Sequence, residues 1–135
     1  MDFRSQEREL ELFAPPDYWT MPVEALKEIA GGCGAGRGLG DTLVPDTAWG
    51  LSIKPACKIH DFMYHFGECL EDKKAADRVF LNNMIRIIEA RTRFSFLARL
   101  RLQRCRTYFF FVKYLGGPAF WKRKNPDATI GKVAA

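Results

Sequence analysis

A mainly α-helical fold follows from three observations on this 135-residue chain. Apolar residues recur at helical spacing along the middle of the chain, glycine and proline punctuate it at the ends of those stretches, and no run alternates with the period of a strand. The architecture these predict is two long antiparallel helices, preceded by a glycine-rich loop and followed by a basic C-terminal helix, within a single domain over 1–135. At 47% hydrophobic and 27% charged residues the composition suits a globular core and excludes disordered or collagen-like chains.

The elements can be justified in order. Residues 1–20 read as an N-terminal arm, polar at first and then broken by Pro15-Pro16. Thr20 ahead of Pro22-Val23-Glu24 looks like an N-cap, so a short helix is expected from about Pro22 to Ala30. Six of the eleven glycines fall within residues 31–40, a density that no regular element tolerates, and a loop region follows through residue 51. Ser52 is the expected cap of a helix that carries Pro55 in its tolerant first turn and stops at Gly67. From Leu70 to about Arg91, residues Ala76, Val79, Phe80, Asn83, Met84, Ile87 and Ile88 recur with helical period. A last helix, from Phe94 to Leu115, ends at Gly116-Gly117-Pro118 and leads into a basic tail.

Charge is a property of one segment. Residues 91–126 hold ten basic and no acidic residues, whereas residues 1–90 are net acidic. Such a block attracts anionic surfaces, lipid or nucleic acid, with salt-dependent strength. Its aromatic residues Phe94, Phe96, Tyr108, Phe109, Phe110 and Phe111 are expected to pack in the core, leaving the basic flanks exposed. The longest apolar run, Tyr108 to Val112, falls far short of the roughly 20 residues of a membrane span. Residues 1–7 lack the basic-then-apolar pattern of a secretory leader.

The helix over residues 52–66 concentrates chemistry. Cys57, His60, Asp61 and Tyr64 stand at i, i+3, i+4 and i+7 on one face, with Ile59, Phe62, Met63 and Phe66 opposite. A helix apolar on one side and functionally dense on the other is expected to be buried on both, and buried polar groups need partners. The next helix offers Asp77, set in its apolar stripe. A histidine alone on a helix is more often structural than catalytic, and Asp77 alone would read as a solvated charge beside Glu71-Asp72-Lys73-Lys74. Their combination changes that reading.

Cys33-Gly34-Ala35-Gly36, followed by Cys57-Lys58-Ile59-His60-Asp61, Tyr64 and Asp77-Arg78-Val79-Phe80, resembles the calcium loop and catalytic helices of the secreted phospholipase A2 superfamily over roughly residues 30–84. Only 16 residues separate His60 from Asp77, which is similar to a compact bacterial or viral branch. The resemblance implies a calcium-dependent hydrolase that cleaves the sn-2 ester of glycerophospholipids. It makes His60 the general base on water, oriented by Asp77, with Tyr64 bonded to the same carboxylate. It also implies a Ca²⁺ ligated by Asp61 and by the carbonyls of Gly32, Gly34 and Gly36, and a Cys33–Cys57 disulfide worth about 3 kcal/mol.

The chain departs from the family where a cysteine usually follows the metal-binding Asp by two residues. Met63 stands there, and Ala76 replaces that cysteine's frequent partner, so apolar packing of Met63 against Ala76 would take the crosslink's place. Cys69 and Cys105 match nothing in the family, and their pairing is left open. The implied substrate partner is a phospholipid surface, anionic lipid being favoured by basic residues 91–124. A calcium-dependent, disulfide-bridged protein suits delivery by a leaderless route or in a virion or phage particle rather than the cytosol. Two alternatives are a non-catalytic membrane-binding module on the same scaffold and a nucleic-acid-binding basic helical protein. The glycine run lacks the G-x-G-x-x-G spacing of a dinucleotide site, and neither C-x-x-C nor H-x-x-x-H is present for zinc.

Overall fold

The computed structural model describes residues 4–30, 44–121 and 124. Its helices are α1 (Arg4–Glu9), α2 (Pro16–Thr20), α3 (Val23–Ile29), α4 (Lys54–Phe66), α5 (Leu70–Arg91), α6 (Ser95–Leu115) and α7 (Gly117–Trp121). A minimal hairpin pairs β1 (Thr47–Ala48) with β2 (Leu51–Ser52), antiparallel, with Thr47 opposite Ser52 and Ala48 opposite Leu51. The fold is thus mainly α, as the periodicity predicts. The glycine-rich stretch 31–40, including Gly32, Cys33, Gly34 and Gly36, lies outside the described residues.

Helices α4 and α5 are joined by residues 67–69 and fold back along each other, and α6 returns along α5 after a connection of similar length. The start of α5 is held by Asp72, whose carboxylate accepts from the backbone N–H of Glu68 at 2.8 Å and of Cys69 at 3.3 Å. Ile59, Phe62, Phe80, Met84 and Ile87 form the main core between these helices. Burying each such side chain contributes about 1.5–3 kcal/mol. Met63 packs against a smaller cluster of Tyr64, Ala76 and Phe120, consistent with apolar contact where a crosslink is missing. Phe66, expected on the same apolar face, is instead half exposed at the last position of α4.

Several local expectations are corrected. The N-terminal arm is two short docked helices. Arg4 donates to the carbonyls of Tyr18 (2.9 Å) and Met21 (2.7 Å), and the Tyr18 hydroxyl donates to Glu7 at 2.7 Å. The segment is then fastened to α5 by Asn83, whose side-chain amide accepts from Phe13 N and donates to Phe13 O, both at 2.8 Å. Thr20 ends α2 instead of capping α3, because Pro22 holds the cap position with an extended ψ. Ser52 belongs to β2, and Ile53 takes the cap position of α4, while Pro55 does fall in the first turn. The hairpin escaped periodicity because its strands are two residues each. Its turn is set by Trp49 and Gly50 with φ of 47° and 77°, a left-handed conformation that Gly50 adopts freely and that is uncommon for a residue like Trp49.

The largest correction concerns α6. Only Cys105, Tyr108 and Val112 are buried along it, with Phe109 and Phe111 partly buried against the core. Phe94, Phe96 and Phe110 are exposed. Helix α5, the short α7 and strand β1 pack on the inner side of α6, and among the described residues no element covers the outer face that carries Phe96 and Phe110.

Candidate functional site

The helical spacing of α4 places His60 and Tyr64 one turn apart, and α5 brings Asp77 between them. His60 Nε2 lies 2.8 Å from Asp77 Oδ1, and the Tyr64 hydroxyl donates to the same oxygen at 2.6 Å. A second contact of that hydroxyl, 3.4 Å to Val112 O, is too long to compete for its one proton. His60 and Asp77 are both buried, at 6% and 2% exposure. The tautomer follows from the partners. An ionised carboxylate only accepts, so Nε2 carries the proton and Nδ1 keeps its lone pair. Among the described residues Nδ1 has no protein partner.

The pocket is aromatic as well as polar. The His60 ring sits 4.1 Å from Tyr64 and 4.6 Å from Phe80, centroid to centroid, and Phe120 meets Tyr64 edge-on at 5.2 Å. Gly116 is required here by close approach, since a Cβ at that position would stand 2.8 Å from the Tyr64 hydroxyl and closer still to the Val112 carbonyl.

Lys73 completes the cluster, a residue that sequence reasoning left in a charged run. Its ammonium bonds Asp77 Oδ2 at 2.9 Å, Val112 O at 2.9 Å and Lys113 O at 3.2 Å, so all three of its protons are used in a buried site. Two of those acceptors are carbonyls in the last turn of α6, where the helix carries partial negative charge, and Val112 O accepts from Gly116 N as well. One cation therefore neutralises Asp77 and fixes α6 to α5. The available signal was the i, i+4 spacing of Lys73 and Asp77 on the face that carries Ala76 and Phe80. Lys124 plays a related part at α4, donating to Tyr64 O at 2.8 Å and Phe120 O at 2.6 Å.

Electrostatics assign the protons. Burial lowers the His60 pKa below its ordinary value, partly opposed by the bond and charge of Asp77. Burial pushes the Asp77 carboxyl up, but hydrogen bonds from His60, Tyr64 and Lys73 more than offset it and leave the group more acidic than usual. Desolvation first, then Asp77 and Asp61, hold the Tyr64 phenol protonated far above neutral pH. The arrangement is a neutral imidazole with one free nitrogen, backed by an ionised carboxylate that is itself pinned by a phenol and an ammonium.

Asp61, next to His60, is half-buried and near enough to Tyr64 for its charge to act there. No group of three or more His, Cys, Asp or Glu side chains suited to a metal occurs among the described residues. A cation at Asp61 would need ligands beyond the side chains of the described residues, and the candidate carbonyls of Gly32, Gly34 and Gly36 lie outside those residues. A carboxylate completed by carbonyls is an all-oxygen donor set, which suits calcium and not zinc. Cys57 is buried and disulfide-bonded, and Cys69 and Cys105 are free thiols. Cys33 lies outside the described residues.

No family model matches this chain, and no curated protein or solved structure matches it.

Proposed function

We propose that this chain is a calcium-dependent phospholipase A2-like hydrolase that cleaves the sn-2 ester of glycerophospholipids. The observation that carries the reading is the buried contact of His60 Nε2 with Asp77 Oδ1 at 2.8 Å, which leaves Nδ1 as the proton acceptor. Nδ1 takes a proton from water as its oxygen bonds to the ester carbonyl carbon. Asp77 holds the ring in place and stabilises the imidazolium. The bond from that carbon to the sn-2 oxygen then breaks, the imidazolium returns its proton to the leaving oxygen, and a fatty acid and a lysophospholipid result. Because burial depresses its pKa, His60 is unprotonated and ready to act near neutral pH. Tyr64 and Lys73 touch Asp77 and serve as positioning groups.

Calcium, held by Asp61 with the carbonyls of Gly32, Gly34 and Gly36, would supply positive charge to the carbonyl oxygen and the phosphate. A Cys33–Cys57 bridge would tie that loop to α4, placing carbonyls beside Asp61.

The test is hydrolysis of a glycerophospholipid in calcium, with fatty acid release as the readout. His60→Ala is expected to lower turnover by about 10²- to 10⁴-fold, and EGTA or Asp61→Asn to abolish it. Substantial turnover by any of the three removes the mechanism. Calcium-dependent vesicle binding with no hydrolysis by the wild type would instead identify a non-catalytic membrane-binding module.

A further inference from the structure

Helix α6 presents an outward face that the core does not use. Phe96, Arg99, Gln103, Arg106, Phe110 and Lys113 follow one another at steps of three and four residues, so they form one stripe, and all are exposed. Phe96 is 73% exposed and Phe110 58%, values unusual for phenylalanine, and Tyr114 (60%) adjoins Phe110 with ring centroids 4.5 Å apart. The Lys113 ammonium lies 5.3 Å from the Tyr114 ring centre. From Phe96 to Tyr114 the stripe runs about 27 Å.

We infer that this face of α6 docks the protein on an anionic lipid surface, the phenylalanine rings inserting at the headgroup boundary while the arginines and Lys113 engage phosphates. The charge pattern selects the partner, since residues 91–126 contain ten basic and no acidic residues. That balance opposes a second copy of the same face through like-charge repulsion. A single nucleic-acid strand is followed by a basic groove with stacking rings, whereas this stripe lies on the convex outside of one helix, a shape that fits a surface. As the place where an enzyme meets its substrate, the face rests on the phospholipase reading, so binding must be measured apart from turnover.

The experiment is sedimentation of the full chain with phosphatidylcholine vesicles, with and without phosphatidylglycerol, at low and high salt. Wild type should prefer the anionic vesicles. Phe96→Ser with Phe110→Ser should weaken that binding by about tenfold or more at both salts, because ring burial is not screened. Arg99→Gln with Arg106→Gln should weaken it at low salt alone. Hydrolysis of a short-chain phospholipid below its micellar concentration should be unchanged in both variants. Full vesicle affinity in the phenylalanine variant, displacement of the vesicles by single-stranded RNA, or dimerisation through this stripe would each overturn the inference. Vesicle binding that needs Phe96 and Phe110 in a chain that hydrolyses nothing would keep the docking face and remove the enzyme.

Discussion

Helices α5 and α6 are nearly the same length, 22 and 21 residues, and treat their residues in opposite ways. Helix α5 buries Lys73, Asp77 and Asn83, whereas α6 leaves Phe96, Phe110 and Tyr114 in water. The difference teaches that burial here follows the supply of partners more closely than residue polarity. Each buried polar group of α5 meets complementary atoms, from Tyr64 and His60 on one side to the end of α6 and Phe13 on the others. The outer rings of α6 have no covering element among the described residues, and hydrophobicity cannot create one.

The strongest way to break this contrast is to remove the acceptor at its centre. Asp77→Ala leaves His60 without its orienting partner and the Lys73 ammonium without its counter-charge, and should cost about 3–5 kcal/mol in urea unfolding together with any hydrolytic activity. The same carboxylate sets an acid limit. Its folded pKa is depressed, so the unfolded chain binds the proton first, and the stability it contributes is present above the ordinary carboxylate range and lost as pH falls below it. Wild type should therefore lose stability on acidification below about pH 4 more steeply than Asp77→Asn. Equal acid profiles would show that the bonds to Asp77 carry little energy.

A smaller effect is expected at Lys73. Replacement by Met keeps the stem's packing but strips Asp77 Oδ2 and the Val112 and Lys113 carbonyls of a donor, for a loss of about 1–3 kcal/mol. Lys73→Arg should recover only part of it, because a planar guanidinium does not reproduce three bonds from one nitrogen. Unchanged stability in Lys73→Met would mean that water replaces the ammonium freely.

The least perturbing change sharpens the comparison from the other side. Phe96→Ser should shift stability by no more than about 0.5 kcal/mol, although Phe→Ala at the buried Phe80 should cost about 3–5 kcal/mol. Thiol labelling reports the same division without mutation. Burial raises the Cys105 thiol to about 12, whereas Cys69 is partly exposed at the start of α5. At mildly alkaline pH the native protein should react at Cys69 and at Cys105 only on unfolding.

Much of the site was legible in order along the chain. His60 and Tyr64 one turn apart on α4, and Asp77 in the stripe of α5, are consequences of a 3.6-residue period that every helix obeys. Lys73 was not legible as a partner, because a lysine in Glu71-Asp72-Lys73-Lys74 has the spacing of a solvated face, and its true acceptors lie some forty residues away on α6. The docked N-terminus was hidden for the same reason, since Asn83 reaches Phe13 across 70 positions. Aromatic content misled in α6, where ring type says that burial is favourable but not that a neighbour is present to provide it.

The amino-acid order by itself settled the four longer helices and which of their side chains share a face, though not the short helices Arg4–Glu9, Pro16–Thr20 and Gly117–Trp121. These are local properties, decided by backbone geometry within a turn or two. Tertiary structure alone decided that a lysine would be buried, that phenylalanines would stay outside and that three helices would meet at one carboxylate. Those outcomes depend on desolvation weighed against partners contributed by distant segments, and that balance exists only once the helices have packed.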